Sequence, residues 1–358
     1  MKKILIQFSI LLVSFLLIDF LFGNFFFNKK LKNDVHDINK NFLYNFKKNL
    51  DIKNYNYGNK NYRLCTNNLG AIDDCYKKNI TTKKIDYVFI GDSFVEGLGV
   101  EFKDTFFGLL KNKYPNKQFL NLGVSGYSTS IYYNKLKYFY EDGFKFSEIY
   151  IFLDTSDIFD EIYRYKEIDE KISLNLNNDQ INDLLDGKKK LIKNIYNNLP
   201  GTFLLISLVT DLLSKLSFIE NNYIDLMINH NFGKWSYGQS NLYSKKTVNE
   251  SLKKNSNYVS KIIEITKKNK SNVTFVLYPW PGHIFQEKTN NRYNNYWTNF
   301  FSNKDINLIN LNLEIFDLLE KDTPREIILK YYIHGDIHFN LKGHNLIFKN
   351  LDKILNKN

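Results

Sequence analysis

The amino-acid sequence predicts a three-layer α/β fold built on a five-stranded parallel sheet, and three observations predict it. Short apolar runs of strand type alternate with helical patterns, each run breaks off in a loop rich in Gly, Ser and Asp, and the chemically distinctive residues gather in those loops. Loops at the carboxyl ends of parallel strands line the crevice where open α/β sheets bind ligands. With 358 residues the chain is either one domain carrying a large insertion or two small domains, and a hydrophobic content of 43% is ample for a core.

Met1-Lys2-Lys3 precedes Ile4 to Phe27, apolar except for Gln7, Ser9, Ser14, Asp19, Gly23 and Asn24. As a helix this stretch is about 36 Å long, longer than the hydrocarbon core of about 30 Å. Asp19 costs about 3 kcal/mol near the centre and each Leu, Ile, Phe or Val returns roughly 0.3 to 0.6, so insertion wins. A cleaved signal peptide would have a shorter apolar region and a small-x-small site, which is missing here, so residues 1–30 read as an uncleaved, single-pass membrane anchor. Lys29, Lys30 and Lys32 offset Lys2 and Lys3, which leaves the orientation open to the positive-inside rule.

Residues 31–84 are polar and rich in Asn, Lys and Tyr, a juxtamembrane lead-in. Cys65 and Cys75 are separated by a loop containing Asn67, Asn68 and Gly70 that is able to bring them together; two free thiols and one disulfide are both open. There is no Cys-x-x-Cys and no companion His cluster, so no metal site is expected. A bridge places the body in an oxidising compartment, which for a bacterial chain anchored in the inner membrane is the periplasm.

The first strand, Ile85 to Ile90, ends in Gly91-Asp92-Ser93, where glycine permits a sharp bend and the helix behind offers unpaired N–H groups. By itself the tripeptide is equally a turn. Phe102 to Tyr114 has helical spacing, Gln118 to Val124 is a second strand running into Ser125-Gly126-Tyr127, and Ser128 to Tyr140 is a helix. A third strand, Ile149 to Leu153, ends in Asp154-Thr155-Ser156-Asp157. Residues 158–244 lose the rhythm and read as an inserted cap; its apolar stretch Phe203 to Leu216 is broken by Ser207, Thr210 and Asp211 and is too interrupted to span a membrane. Thr247 to Lys268 is a helix, Asn272 to Leu277 a strand running into Tyr278-Pro279-Trp280-Pro281-Gly282-His283, Ile306 to Leu311 the last strand, and a final helix begins near Lys342. Residues 85–157 and 245–358 thus form the main domain. The net charge of +11 comes from Lys spread along the whole chain, and Lys188-Lys189-Lys190 is a solvated helix face; with no nucleic-acid motif beside it, no nucleic-acid partner is expected.

The last loop, Tyr332 to His344, holds three of the six histidines. A serine nucleophile needs a base and a carboxylate that holds the base's tautomer, and Asp336 and His338 supply both. His344, in the first turns of the final helix, reads as structural, and His334 as a pocket residue or an exposed one. Gly91-Asp92-Ser93, Leu122-Gly123-Val124-Ser125-Gly126 and Asp336-x-His338, in this order at strand ends, resemble the SGNH (GDSL) hydrolases over roughly residues 84–157 and 272–356.

The resemblance implies a flavodoxin-like sandwich with Ser93 as nucleophile, His338 as base, Asp336 as its partner, and an oxyanion hole made by the N–H groups of Ser93 and Gly126. Two blocks depart from the family pattern. Where the third normally reads Gly-x-Asn-Asp, this chain has Asp154-Thr155-Ser156-Asp157, with the Ser156 hydroxyl as the replacement oxyanion donor. The last block has one residue between Asp and His instead of two, and Asp336-Ile337-His338-Phe339 is similar to the alginate acetyltransferase branch. The implied activity is that of an esterase removing a small acyl group, acetyl, from a cell-surface carbohydrate through an acyl-serine, with no cofactor. An O-acetyltransferase of an envelope polysaccharide, fed by an acyl-donor membrane protein, and an inactive glycan-binding subunit are the alternatives. Tyr278 and Trp280, with Trp235, are placed to stack on sugar rings, although aromatics beside a strand equally serve as core.

Overall fold

The computed structural model describes residues 2–27, 35–58, 60–76, 79–168, 171–175, 201, 202, 209, 217–237, 245–287 and 292–356. They fall into two compact units, one of Met1–Asp34 with Leu176–Asn222, the other of Val35–Asn175 with Tyr223–Asn358. Lys188-Lys189-Lys190 and, apart from Val209, the stretch Phe203 to Leu216 lie outside the described residues.

In the first unit Lys2–Phe27 is one helix of 26 residues. Ile10, Leu11, Val13, Leu17 and Ile18 on it are exposed, whereas Asp19 is buried. The Asp19 carboxylate accepts hydrogen bonds from the Thr202 N–H and, at 2.9 Å, from the Thr202 hydroxyl. The acid that weighs against an apolar helix is therefore matched by polar donors of its own unit. Among the residues whose side chains are described, no helical stretch is long and apolar enough to cross a membrane.

In chain order the strands of the second unit are β1 (His36–Asn39), β2 (Leu43–Phe46), β3 (Asp51–Tyr57), β4 (Lys60–Cys65), β5 (Lys84–Ile90), β6 (Phe119–Asn121), β7 (Lys145–Phe152), β8 (Tyr165–Ile168), β9 (Lys171–Leu174), β10 (Asn272–Leu277) and β11 (Asn307–Asn310). The main sheet has the order β11-β10-β7-β5-β6 and is parallel throughout. From the β6 edge this is the 2-1-3-4-5 order of flavodoxin-like folds, whose topological switch point lies between the first and third strands, here β5 and β7.

Period-two alternation divides each buried strand between two helical layers. Phe89 and Tyr150, partners across β5 and β7, stack at 4.9 Å and meet Phe106, Leu110, Ile347 and Leu351 in one aromatic-rich core. That core lies under the helices Phe106–Lys113 and Leu341–Leu355, which pack on each other, while Thr129–Glu141 packs on Lys245–Lys268. The third strand extends further toward its amino end than its apolar run because Lys145, Ser147 and Glu148 alternate with buried Phe146 and Ile149.

The lead-in at 31–84 requires correction. Its described part forms two antiparallel hairpins, β1–β2 and β3–β4, with Phe42, Phe46, Tyr62 and Leu64 buried, and it belongs to the same unit as the sheet. Cys65 and Cys75 are joined in a disulfide that ties the end of β4 to the following loop. The cap boundaries also shift, since residues 158–175, with the β8–β9 hairpin, and residues from Tyr223 onward share the sheet's unit. Trp235, in this segment, donates its indole N–H to the Thr155 carbonyl at 2.9 Å and is buried.

Candidate active site

β5 leads into the candidate nucleophile, Ser93. Gly91 follows it because a Cβ there would lie 2.5 Å from Val95 Cγ2, so only glycine lets the next turn fold back onto the strand. The short helix Ser93–Glu96 then begins, capped by the Asp92 carboxylate, which accepts from the Phe94 N–H at 3.1 Å. Ser93 stands at the first helical position beside the switch point.

The candidate base, His338, lies on the loop between the helices Pro324–Tyr331 and Leu341–Leu355. Tyr332 and Phe339 form an antiparallel bridge, the Ile333 N–H donates to the His338 carbonyl at 2.8 Å, and Gly335 turns the loop at φ 76°. In this closed turn Asp336 Oδ1 accepts from both the backbone N–H of His338, at 3.0 Å, and its ring Nδ1, at 2.5 Å. One intervening residue therefore suffices: the local turn brings Asp336 round to the imidazole two positions on. With Nδ1–H assigned to Asp336, Nε2 carries the lone pair, and it lies 2.7 Å from Ser93 Oγ.

Burial raises the Asp336 carboxyl, but the His338 charge, the hydrogen bonds from His338 and one from the Tyr57 hydroxyl prevail and hold it well below the usual carboxylate range. Ser93 Oγ is also 3.1 Å from Asp92 Oδ2, a competing acceptor. Burial, then the charge of Asp154, pushes Asp92 well above the usual carboxylate range. His338 Nε2, at 2.7 Å, is the nearer acceptor for the serine proton.

The second-block loop is clamped from several sides. Glu96 accepts from both the N–H and the hydroxyl of Ser125 at 2.6 Å, and the Tyr44 hydroxyl donates to the Ser125 carbonyl at 2.7 Å. The Tyr165 hydroxyl holds the Gly126 carbonyl. In a trans peptide the C=O and N–H point in opposite directions, so Tyr44 on the Ser125 oxygen fixes the aim of the Gly126 N–H. Gly126 has φ 77°, and the Arg164 guanidinium occupies the place a Cβ would take. Arg164 is paired with Asp160 at 2.9 Å.

No protein-family model matches the chain, and no curated protein does. Solved structures similar to it include a member of the lipolytic G-D-S-L family from Veillonella parvula, with 12% identity over 76% of this chain and 100% of that one at a TM-score of 0.40. The psychrotrophic esterase EstA from Pseudoalteromonas sp. has 12% identity over 77% of this chain and 98% of that one, with a TM-score of 0.40. The acetylxylan esterase Axe2 from Geobacillus stearothermophilus has 13% identity over 75% and 93%, with a TM-score of 0.39. The chemistry of the site is read from its own geometry.

Two sequence-based expectations are corrected by that geometry. The Ser156 hydroxyl is directed at Asp154 Oδ1, 2.5 Å away, and its single proton is committed there, so Ser156 is not a free oxyanion donor. Tyr278 and Trp280 are buried with Asp154 between them, the phenol donating to Oδ2 at 2.5 Å and the indole N–H at 2.9 Å. Trp235 is buried as well, so none of the three presents a ring face for a sugar to stack on. All three wrap the altered third block, whose buried Asp154 must be satisfied by donors from every side. His344 is buried beneath the Phe106 ring at 5.8 Å and accepts the Phe106 N–H, a core role, and burial pushes it down to about 3. His334 packs on the Tyr223 ring at 4.9 Å.

Glu96, Tyr44 and Tyr57 were not singled out from the sequence. Tyr55-Asn56-Tyr57-Gly58-Asn59 carries the alternation and the Gly-Asn turn of a hairpin, a signal diluted by the Asn- and Lys-rich surroundings.

Proposed function

We propose that this chain is an SGNH-type serine esterase that removes a small acyl group, acetyl, from a cell-surface carbohydrate through an acyl-serine. The observation that carries the reading is the continuous relay from Asp336 Oδ1 to His338 Nδ1, at 2.5 Å, and from His338 Nε2 to Ser93 Oγ, at 2.7 Å. His338 takes the Ser93 proton as Oγ attacks the ester carbonyl carbon, and the oxyanion rests on the Ser93 and Gly126 N–H groups. The imidazolium, balanced by Asp336, protonates the departing sugar oxygen. Water then gives a proton to His338 and attacks the acyl-serine, releasing the acid and restoring the serine. Ser93 and His338 are both nearly buried, which suits a short acyl group.

The anchor in the bacterial inner membrane is assigned to the 26-residue helix Lys2–Phe27, on which Ile10, Leu11, Val13, Leu17 and Ile18 are exposed and Asp19 is hydrogen-bonded. The disulfide supports an oxidising compartment, the periplasm, where an anchored enzyme meets envelope polysaccharide.

Turnover of an aryl acetate by the full chain in detergent, beside Ser93→Ala and with envelope polysaccharide present or absent, tests the reading. Serine-dependent release as free acetate is expected. Acetate carried to the glycan would make the chain an O-acetyltransferase that draws on an acyl-donor membrane protein, and no turnover above Ser93→Ala would leave a glycan-binding subunit.

A further inference from the structure

We propose that Tyr57, at the tip of the N-terminal β3–β4 hairpin, is a positioning residue for the base: its hydroxyl donates to Asp336 and its ring holds the His338 imidazole turned toward Ser93. The proposal rests on the reading of Ser93 and His338 as nucleophile and base. Tyr57 Oη lies 3.2 Å from His338 Nδ1, whose one proton already points to Asp336, so the tyrosine proton is left for the Asp336 carboxylate. The rings confirm the fit of the contact. Tyr57 meets the imidazole edge-on at 5.6 Å and 86°, while Phe94 covers the same imidazole at 4.8 Å. Between the two aromatics the imidazole has little freedom to swing.

The hairpin tip is seated as well as near. Gly99 has φ 81°, and a Cβ there would lie 3.3 Å from Tyr57 Cδ1 and 2.8 Å from Ile333 Cδ1. Gly99 follows the nucleophile helix and Ile333 begins the base loop, so Tyr57 sits where the two catalytic segments converge. A hydrogen bond to Asp336 has a definite electronic consequence. It withdraws charge from the carboxylate, which then pulls less strongly on the imidazole proton.

The groups facing His338 are Asp336 and Tyr57 at Nδ1, Ser93 at Nε2 with Asp92 behind it, and the charges of Glu96 on the nucleophile helix and His344 on the last helix. Tyr57→Phe removes one hydroxyl and leaves all the others.

The experiment measures the rate at which a fluorophosphonate labels Ser93 in the full chain, as a function of pH, for wild type, Tyr57→Phe, Tyr55→Phe and Ser93→Ala. Labelling reports the nucleophile directly and needs no knowledge of the natural ester. Tyr57→Phe is expected to label about tenfold more slowly at neutral pH, with the acid limb of its profile moved to higher pH, because the freed carboxylate holds the imidazole proton longer. Tyr55→Phe, on the same strand, is expected to match wild type. If Tyr57→Phe labels at the wild-type rate, or if its acid limb moves to lower pH as a merely loosened Asp336–His338 pair would make it, the positioning role is wrong while the triad stands. Wild-type labelling no faster than Ser93→Ala would overturn the triad and this role together.

Discussion

Ser156 shows how one side chain's neighbours decide whether it can act. A serine hydroxyl has a single proton, and here that proton goes to Asp154 at 2.5 Å, with the Ser156 N–H donating to the same oxygen at 2.6 Å. Loss of a working oxyanion donor costs about 2.7 to 4 kcal/mol, a hundredfold or more in rate. Ser156→Ala is expected to cost much less, within about fivefold in kcat on an aryl acetate; a hundredfold fall would return Ser156 to the oxyanion hole. Asp92 carries the complementary lesson. Two acceptors compete for the Ser93 proton; His338 Nε2 is the nearer, at 2.7 Å against 3.1 Å for Asp92 Oδ2, and burial beside Asp154, which raises Asp92, weakens it as the rival acceptor.

At the scale of elements, the short helix Ser93–Glu96 has one turn and little stability of its own. It persists because each end is tied: Asp92 caps it, Gly97 closes it in the left-handed conformation, and Glu96 reaches the second-block loop through Ser125. Burial pushes Glu96 up to about 6 against the downward pull of the Ser125 hydrogen bonds. An acid whose folded value is raised keeps its proton longer in the folded state, so its contribution to stability falls as pH rises from about 4.5 to about 6 and is level above that. The loss is about 2 kcal/mol. Glu96→Gln is expected to lack it, so the stability of wild type minus that of the variant, from urea unfolding at pH 4 and pH 7, should fall by about that amount. Asp92 and Asp160, also raised, are common to both proteins and cancel. An unchanged difference would mean that Glu96 titrates normally in the folded chain.

For the whole molecule, the Lys2–Phe27 helix bears on where the protein sits. The full chain is expected to float with phospholipid vesicles on a density gradient and to resist extraction by carbonate; recovery from the soluble fraction would remove the anchor reading. The parallel sheet, the strand ends and the Ser93, Asp336 and His338 candidates were all legible in the linear chain, because apolar periodicity and turn chemistry are local and each motif sits in a single loop. Cys65 and Cys75 were legible as a pair, and their bridge became definite only with the backbone path between them. The hairpins at 36–65 escaped because their buried residues, Phe42, Phe46, Tyr62 and Leu64, are scattered among Asn and Lys and find their core only against distant segments. The roles of Tyr44, Tyr57, Ser156, Tyr278 and Trp280 belong to the tertiary structure alone. A hydrogen bond has direction and each donor a limited number of protons, so whether an aromatic ring stacks on a ligand or props a buried carboxylate is set by what the fold brings against it.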